Sequence, residues 1–215
     1  MKLLKSMACA LAVVSVVVPH TVTAEVINVG GDDVWLDKPE NPAASLVIVP
    51  GGGGLSGHDP LQRLRQRIAA EGLAVLSVDA NTNLKAATKK MAKIARPVSI
   101  AAVSRGVMGI TKVLSSGRLK MKKLVLVAGD LNFMQQKLGT PSKLPRTLVI
   151  HHRRDGCKKT PPSAVEAFEQ WAGGKVTVVW LDGGRNQGNP CGPDAYHGLA
   201  GLDGKVVDTI VSFLK

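Results

Sequence analysis

Apolar residues follow two rhythms along this chain. Ser45 to Val49, Ala74 to Val78, Val98 to Val103, Leu124 to Ala128, Arg146 to Ile150 and Val176 to Leu181 are short, nearly unbroken apolar runs bounded by Gly, Pro or charged residues. A strand with one wet face would alternate, so runs of this kind predict strands covered on both sides. Between them apolar residues recur at helical spacing. Asp59-Pro60 opens one such stretch, with Leu61, Leu64, Ile68 and Ala69 on one face and Gly72 as the stop. Leu84 to Ala95 carries Leu84, Ala87, Met91 and Ile94 inward and lysines outward. Val107, Met108, Ile110, Val113 and Leu114 mark a third helix that stops near Gly117. Ser163 to Ala172 starts with a Ser163/Glu166 capping box, and Val206 to Leu214 closes the chain. Near the start, Val26 to Leu36 reads as one or two short strands broken at Gly30-Gly31-Asp32-Asp33. Strand and helix in alternation predict an α/β fold, a single doubly wound and mostly parallel sheet with helices on both faces.

The first 24 residues do not fit that alternation. Lys2 and Lys5 precede an apolar run from Ala8 to Val18, and Val22-Thr23-Ala24 supplies small residues for cleavage. This is the pattern of a secretory signal, so residues 25–215 are expected to form one exported domain, periplasmic or secreted. No later stretch is long and apolar enough to be a membrane span. Two cysteines follow the signal, Cys157 and Cys191, and an even pair in an exported chain predicts a disulfide. The formal charge is +12, yet aromatic residues are only 3% of the chain and no nucleic-acid motif is present, so the basic residues are read as a solvated surface. The loop holding Arg153, Arg154, Lys158 and Lys159 is set apart, because its charges are placed to draw in anionic substrates.

Candidate chemistry gathers at strand ends. The run Val98 to Val103 stops at Ser104, with Ala102 two residues before it, Gly106 two residues after it and a helical pattern following at once. Small-x-Ser-x-Gly on a strand-to-helix turn is a nucleophile elbow, in which crowding of the two backbones excludes side chains while the hydroxyl is pushed outward. Pro50-Gly51-Gly52-Gly53-Gly54 follows the first parallel strand, Asp155 follows the strand ending at Ile150, and His197 comes after the last strand. In open parallel sheets ligands collect at this rim. The Gly51 to Gly54 run lacks the Gly-Lys-Ser/Thr of a phosphate loop, and His58, His151 and His152 match no zinc spacing, so neither a nucleotide nor a metal is expected.

Taken together, VPGGGG (49–54), AVSRG (102–106), HHRRDGC (151–157) and DAYHG (194–198) resemble the corresponding loops of the α/β-hydrolase superfamily across essentially all of residues 25–215. The resemblance implies Ser104 as nucleophile, His197 as base and Asp155 as the acid that orients it. It also implies an oxyanion hole from the main-chain N–H of Arg105 with that of Gly52 or Gly53. Asp130, after the preceding strand, is the rival acid, and Asp182 a weaker one. The interval from Ala128 to Arg146, where lid-bearing relatives insert a cap, holds room for only a loop or one short helix such as Asn132 to Lys137, so the site is expected to be open. His58 and Tyr196 are candidates for its lining. The implied activity is a cofactor-free serine hydrolase, a carboxylesterase acting on a small or exposed ester. A peptidase or amidase on the same fold, and a basic binding protein that has kept the scaffold, are the alternatives.

Overall fold

The computed structural model describes residues 21–215. The charged start and apolar run of the expected signal lie outside the described residues. Eight strands form one sheet in the order β1-β2-β4-β3-β5-β6-β7-β8. Val22–Val29 (β1) and Asp32–Pro39 (β2) make an antiparallel hairpin at one edge, turning through Gly30 and Gly31, both at positive φ. The expected cleavage point after Ala24 falls inside β1, whose Val22, Thr23 and Ala24 pair with Pro39, Lys38 and Asp37, so processing there would remove those rungs. β2 joins Leu73–Ser77 (β4) antiparallel; every later pairing, among β4, Ala44–Val49 (β3), Val98–Val103 (β5), Lys123–Val127 (β6), Arg146–His152 (β7) and Val176–Leu181 (β8), is parallel. The doubly wound, mostly parallel sheet read from the apolar runs is the observed architecture.

The apolar runs have no wet face because both sheet faces are covered. Val47, Val49, Ile100, Ala102, Leu124, Leu126 and Val149 point to one side. There they pack under Leu84–Met91 (α2), Gly106–Ser115 (α3), Leu131–Leu138 (α4) and Ser163–Ala172 (α5). The alternate residues Leu46, Ile48, Ala101, Val103, Val125, Val127, Leu148 and Ile150 face Pro60–Ala70 (α1) and Asp203–Leu214 (α6). Most of these side chains are wholly excluded from solvent, and each buried Leu or Ile contributes about 1.5–3 kcal/mol of transfer free energy.

Three local expectations need correction. α2 ends at Met91 rather than Ala95: beyond it the chain tightens into turns, with the Lys93 N–H donating to the Lys90 carbonyl and that of Ile94 to the Met91 carbonyl, while the Ser45 hydroxyl holds the segment through the Met91 and Ala95 carbonyls at 3.1 and 2.8 Å. The capping box at α5 does not form. The cap is Pro162, so Ser163 is already the first helical residue, and the carbonyls of Pro161 and Pro162 accept the N–H groups of Ala164 and Val165. Finally, β7 runs two residues beyond Ile150 and carries His151 and His152 into the sheet, both fully buried. Between β6 and β7 the chain forms α4 and one 3-10 turn, Pro141–Lys143, and no separate cap domain.

Candidate active site

Ser104 sits at the carboxyl end of β5 with φ +49°, a left-handed conformation that costs a non-glycine residue on the order of 1–3 kcal/mol and persists only where its surroundings impose it. Two neighbours impose it. The Ser104 N–H donates to the Val127 carbonyl of β6, and α3 starts immediately at Gly106. A Cβ on Gly106 would lie 2.5 Å from the Pro50 carbonyl oxygen and 2.6 Å from that of Val49, so no larger residue fits beneath the elbow. The size pattern read from the sequence therefore has a steric cause at this position.

The loop after β3 is held by Asp59. One of its carboxylate oxygens caps α1 by accepting the Leu61 and Gln62 N–H groups, and the other accepts the Gly51 N–H at 2.9 Å. Burial raises the Asp59 pKa, opposed by these N–H groups and by the Arg63 guanidinium. A Cβ on Gly53 would lie 2.9 Å from the Gly57 Cα, so the loop folds on itself only with glycine there. The N–H groups of Gly52, Gly53 and Arg105 have no acceptor among the described residues and stand beside Ser104. These are donors of the kind an oxyanion hole requires.

Three side chains distant in sequence meet at the rim. The Ser104 Oγ lies 2.9 Å from His197 Nε2, and His197 Nδ1 lies 2.9 Å from Asp155 Oδ2. With Nδ1–H donating to the carboxylate, Nε2 is left as the acceptor for the serine proton. Asp155 is buried, and each oxygen is served: Oδ1 accepts the Cys157 N–H at 2.8 Å, while Oδ2 also accepts the Thr160 hydroxyl at 3.2 Å. His151 adds a further donor, its Nε2 lying 3.3 Å from Oδ2 and 3.1 Å from the Thr160 carbonyl. Burial pushes the Asp155 carboxyl upward, but the hydrogen bonds from His151, His197 and Cys157, with the His197 charge, hold it well below the usual carboxylate range.

The rival acids are engaged elsewhere. Asp130 caps α4 through the Phe133 N–H, and Asp182 pairs with Arg153. The acid and base loops are joined by the Cys157–Cys191 disulfide, with Cα atoms 4.6 Å apart. A cavity of about 250 Å³ opens over Ser104 and His197, walled by glycines 51, 52, 53, 57 and 192 with His58, Pro60 and Pro193. His58 thus lines the site. Tyr196 does not; it lies flat on His152, ring centroids 4.1 Å apart, with the Arg154 guanidinium 4.6 Å from its own centroid. Among the described residues no three His, Cys, Asp or Glu side chains group as metal ligands.

Sequence reasoning missed Thr160, His151 and Arg63. Arg63 of α1 donates to the Gly198 and Leu199 carbonyls at 2.9 and 3.2 Å and pairs with Asp203, pinning the turn that presents His197. A threonine five residues past the acid and a histidine four before it were visible signals; nothing near Arg63 points to residues 198–203.

No family model matches the sequence, and no curated protein matches it either. Solved structures do resemble it. Est1E from Butyrivibrio proteoclasticus aligns at 16% identity and TM-score 0.64, over 89% of this chain and 97% of that one. The esterase domain of a Rhodothermus marinus protein aligns at 13% identity and TM-score 0.67, over 90% and 97%. Dienelactone hydrolase from Anabaena variabilis aligns at 13% identity and TM-score 0.67, over 91% and 97%. The chain has the α/β-hydrolase fold.

Proposed function

We propose that this protein is an exported serine hydrolase, a carboxylesterase in which Ser104 is the nucleophile, His197 the base and Asp155 the acid. The carrying observation is the unbroken relay from the Ser104 hydroxyl through both nitrogens of His197 to the buried Asp155, each link 2.9 Å. His197 Nε2 takes the hydroxyl proton as Ser104 Oγ bonds to the ester carbonyl carbon. Negative charge on the former carbonyl oxygen is met by the N–H groups of Arg105 and Gly52 or Gly53, and Asp155 stabilises the imidazolium. The same proton passes to the leaving alcohol, and water, deprotonated by His197, then releases the acid and restores Ser104. A glycine-walled cavity of about 250 Å³ without a cap suits a short acyl group on an ester that reaches the rim from solvent. The disulfide supports folding in an oxidising compartment.

A fluorophosphonate probe tests the assignment. The wild type is labelled on Ser104 and Ser104→Ala is not; labelling that survives the substitution sinks it. Hydrolysis rates on acetyl, butyryl and octanoyl esters of one alcohol are expected to fall with chain length. The acetyl ester compared with its matched amide separates an esterase from a peptidase or amidase.

A further inference from the structure

At the opposite rim of the sheet, beneath the amino ends of β5 and β6, lies a larger groove of about 970 Å³. Its sides carry Lys85, Lys89, Arg96, Arg118, Lys120 and Lys122, all exposed, and no Asp or Glu lines it. None of the six forms an ion pair among the described residues, and only Arg96 spends a side-chain hydrogen bond, on the Ala92 carbonyl. Some basic residues elsewhere are engaged, Arg63 with Asp203, Arg65 with Asp37, Arg153 with Asp182 and Lys175 with three carbonyls, and others, such as Lys112 and Lys137, stand free among the described residues; what sets these six apart is that they converge on one groove. The floor differs in kind, being formed by Ala92, Val98, Leu119 and Met121.

Six uncompensated cations around a concave apolar floor specify a ligand with two parts. The charge calls for an anion and the floor for an aliphatic chain. The groove has the volume of a small-molecule site, which runs to about 1,000 Å³, and it contains no aromatic side chain on which a nucleic-acid base could stack. We propose that this groove binds a single-chain anionic amphiphile, an alkyl or acyl chain bearing a phosphate or carboxylate head. Ser104 stands at the far end of β5, so occupancy of the groove leaves the candidate active site open.

Calorimetric titration of the whole protein with monomeric dodecyl phosphate tests this, beside inorganic phosphate, neutral dodecyl maltoside, a short single-stranded oligonucleotide and phosphatidylglycerol vesicles. The expected result is saturation by one dodecyl phosphate per chain, with inorganic phosphate and dodecyl maltoside each weaker by about tenfold or more. Lys120→Glu combined with Lys122→Glu weakens that binding by about tenfold while the melting temperature stays within a few degrees of wild type. Equal affinity for inorganic phosphate would make the floor idle, and undiminished binding by the double variant would make the cations idle; either overturns the proposal. Tighter binding to the oligonucleotide or the vesicles overturns it by naming another class of partner. Dodecyl phosphate that blocks fluorophosphonate labelling of Ser104 is bound at the other rim, which also overturns it. Heat of binding does not depend on hydrolysis, so the result stands whether or not Ser104 cleaves esters.

Discussion

The two rims of one sheet solve opposite electrostatic problems. At the carboxyl rim Asp155, His151, His197 and Thr160 are buried, and the acid's two oxygens meet donors on every side. At the amino rim six cations stand in water with no acidic partner among the described residues. A buried carboxylate must be fully satisfied or it costs several kcal/mol, so its geometry is dictated by its neighbours. An exposed lysine costs almost nothing wherever it lies, so its position is free to follow what it binds. The proposed mechanism therefore rests on distances at the first rim, and the proposed recognition on charge at the second.

The sharpest way to break this contrast is Asp155→Asn. Loss of the carboxylate removes the acceptor that sets the His197 tautomer, and turnover of an acetyl ester is expected to fall by about 10⁴-fold. Asp130→Asn, which keeps an N-cap side chain on α4, leaves turnover nearly unchanged; equal losses in the two variants would refute the assignment of the acid. The same aspartate gives a pH signature. Its folded pKa lies below the ordinary value of about 3.9, so its contribution to stability is complete above that value and drains away as pH falls further. Urea midpoints are expected to show the wild type's advantage over Asp155→Asn holding above about pH 4 and shrinking as pH falls below it.

Next in size is the disulfide. Reduction frees a loop spanning 34 residues and is expected to cost about 3–4 kcal/mol, read as a lower melting temperature in reductant. Thr160→Val deletes one donor to Asp155 Oδ2 and should lower kcat by about tenfold with KM little changed; an equal change in both would mark a merely structural role. The smallest effect belongs to the other rim. Lys89→Gln is expected to move stability by no more than about 0.5 kcal/mol in chemical denaturation, and a loss of several would show that this lysine has a folding partner.

What could be read from the sequence was local or periodic. The elbow was legible because its requirement is written in five consecutive residue sizes, Ala102 to Gly106, and the sheet because apolar runs alternate with helical spacing. The choice between Asp130 and Asp155 was not legible, since both follow parallel strands and only loop geometry turns one toward His197. Thr160 and His151 reach the acid through the fold-back of residues 155–160 and the two extra residues of β7, which no apolar pattern announces. The Ser163/Glu166 box misled because Pro161 and Pro162, just upstream, had already supplied what a cap provides.

The Cys157–Cys191 bond also decides what a protease can do to this molecule. Residues 182–190 are an exposed stretch, with Gly183, Gly184 and Gly188 at positive φ, the sort of tip at which chains are nicked. A single cut there severs the backbone between acid and base, yet both pieces stay covalently tethered beside the serine. Such a nicked form would migrate as one band without reductant and as two with it.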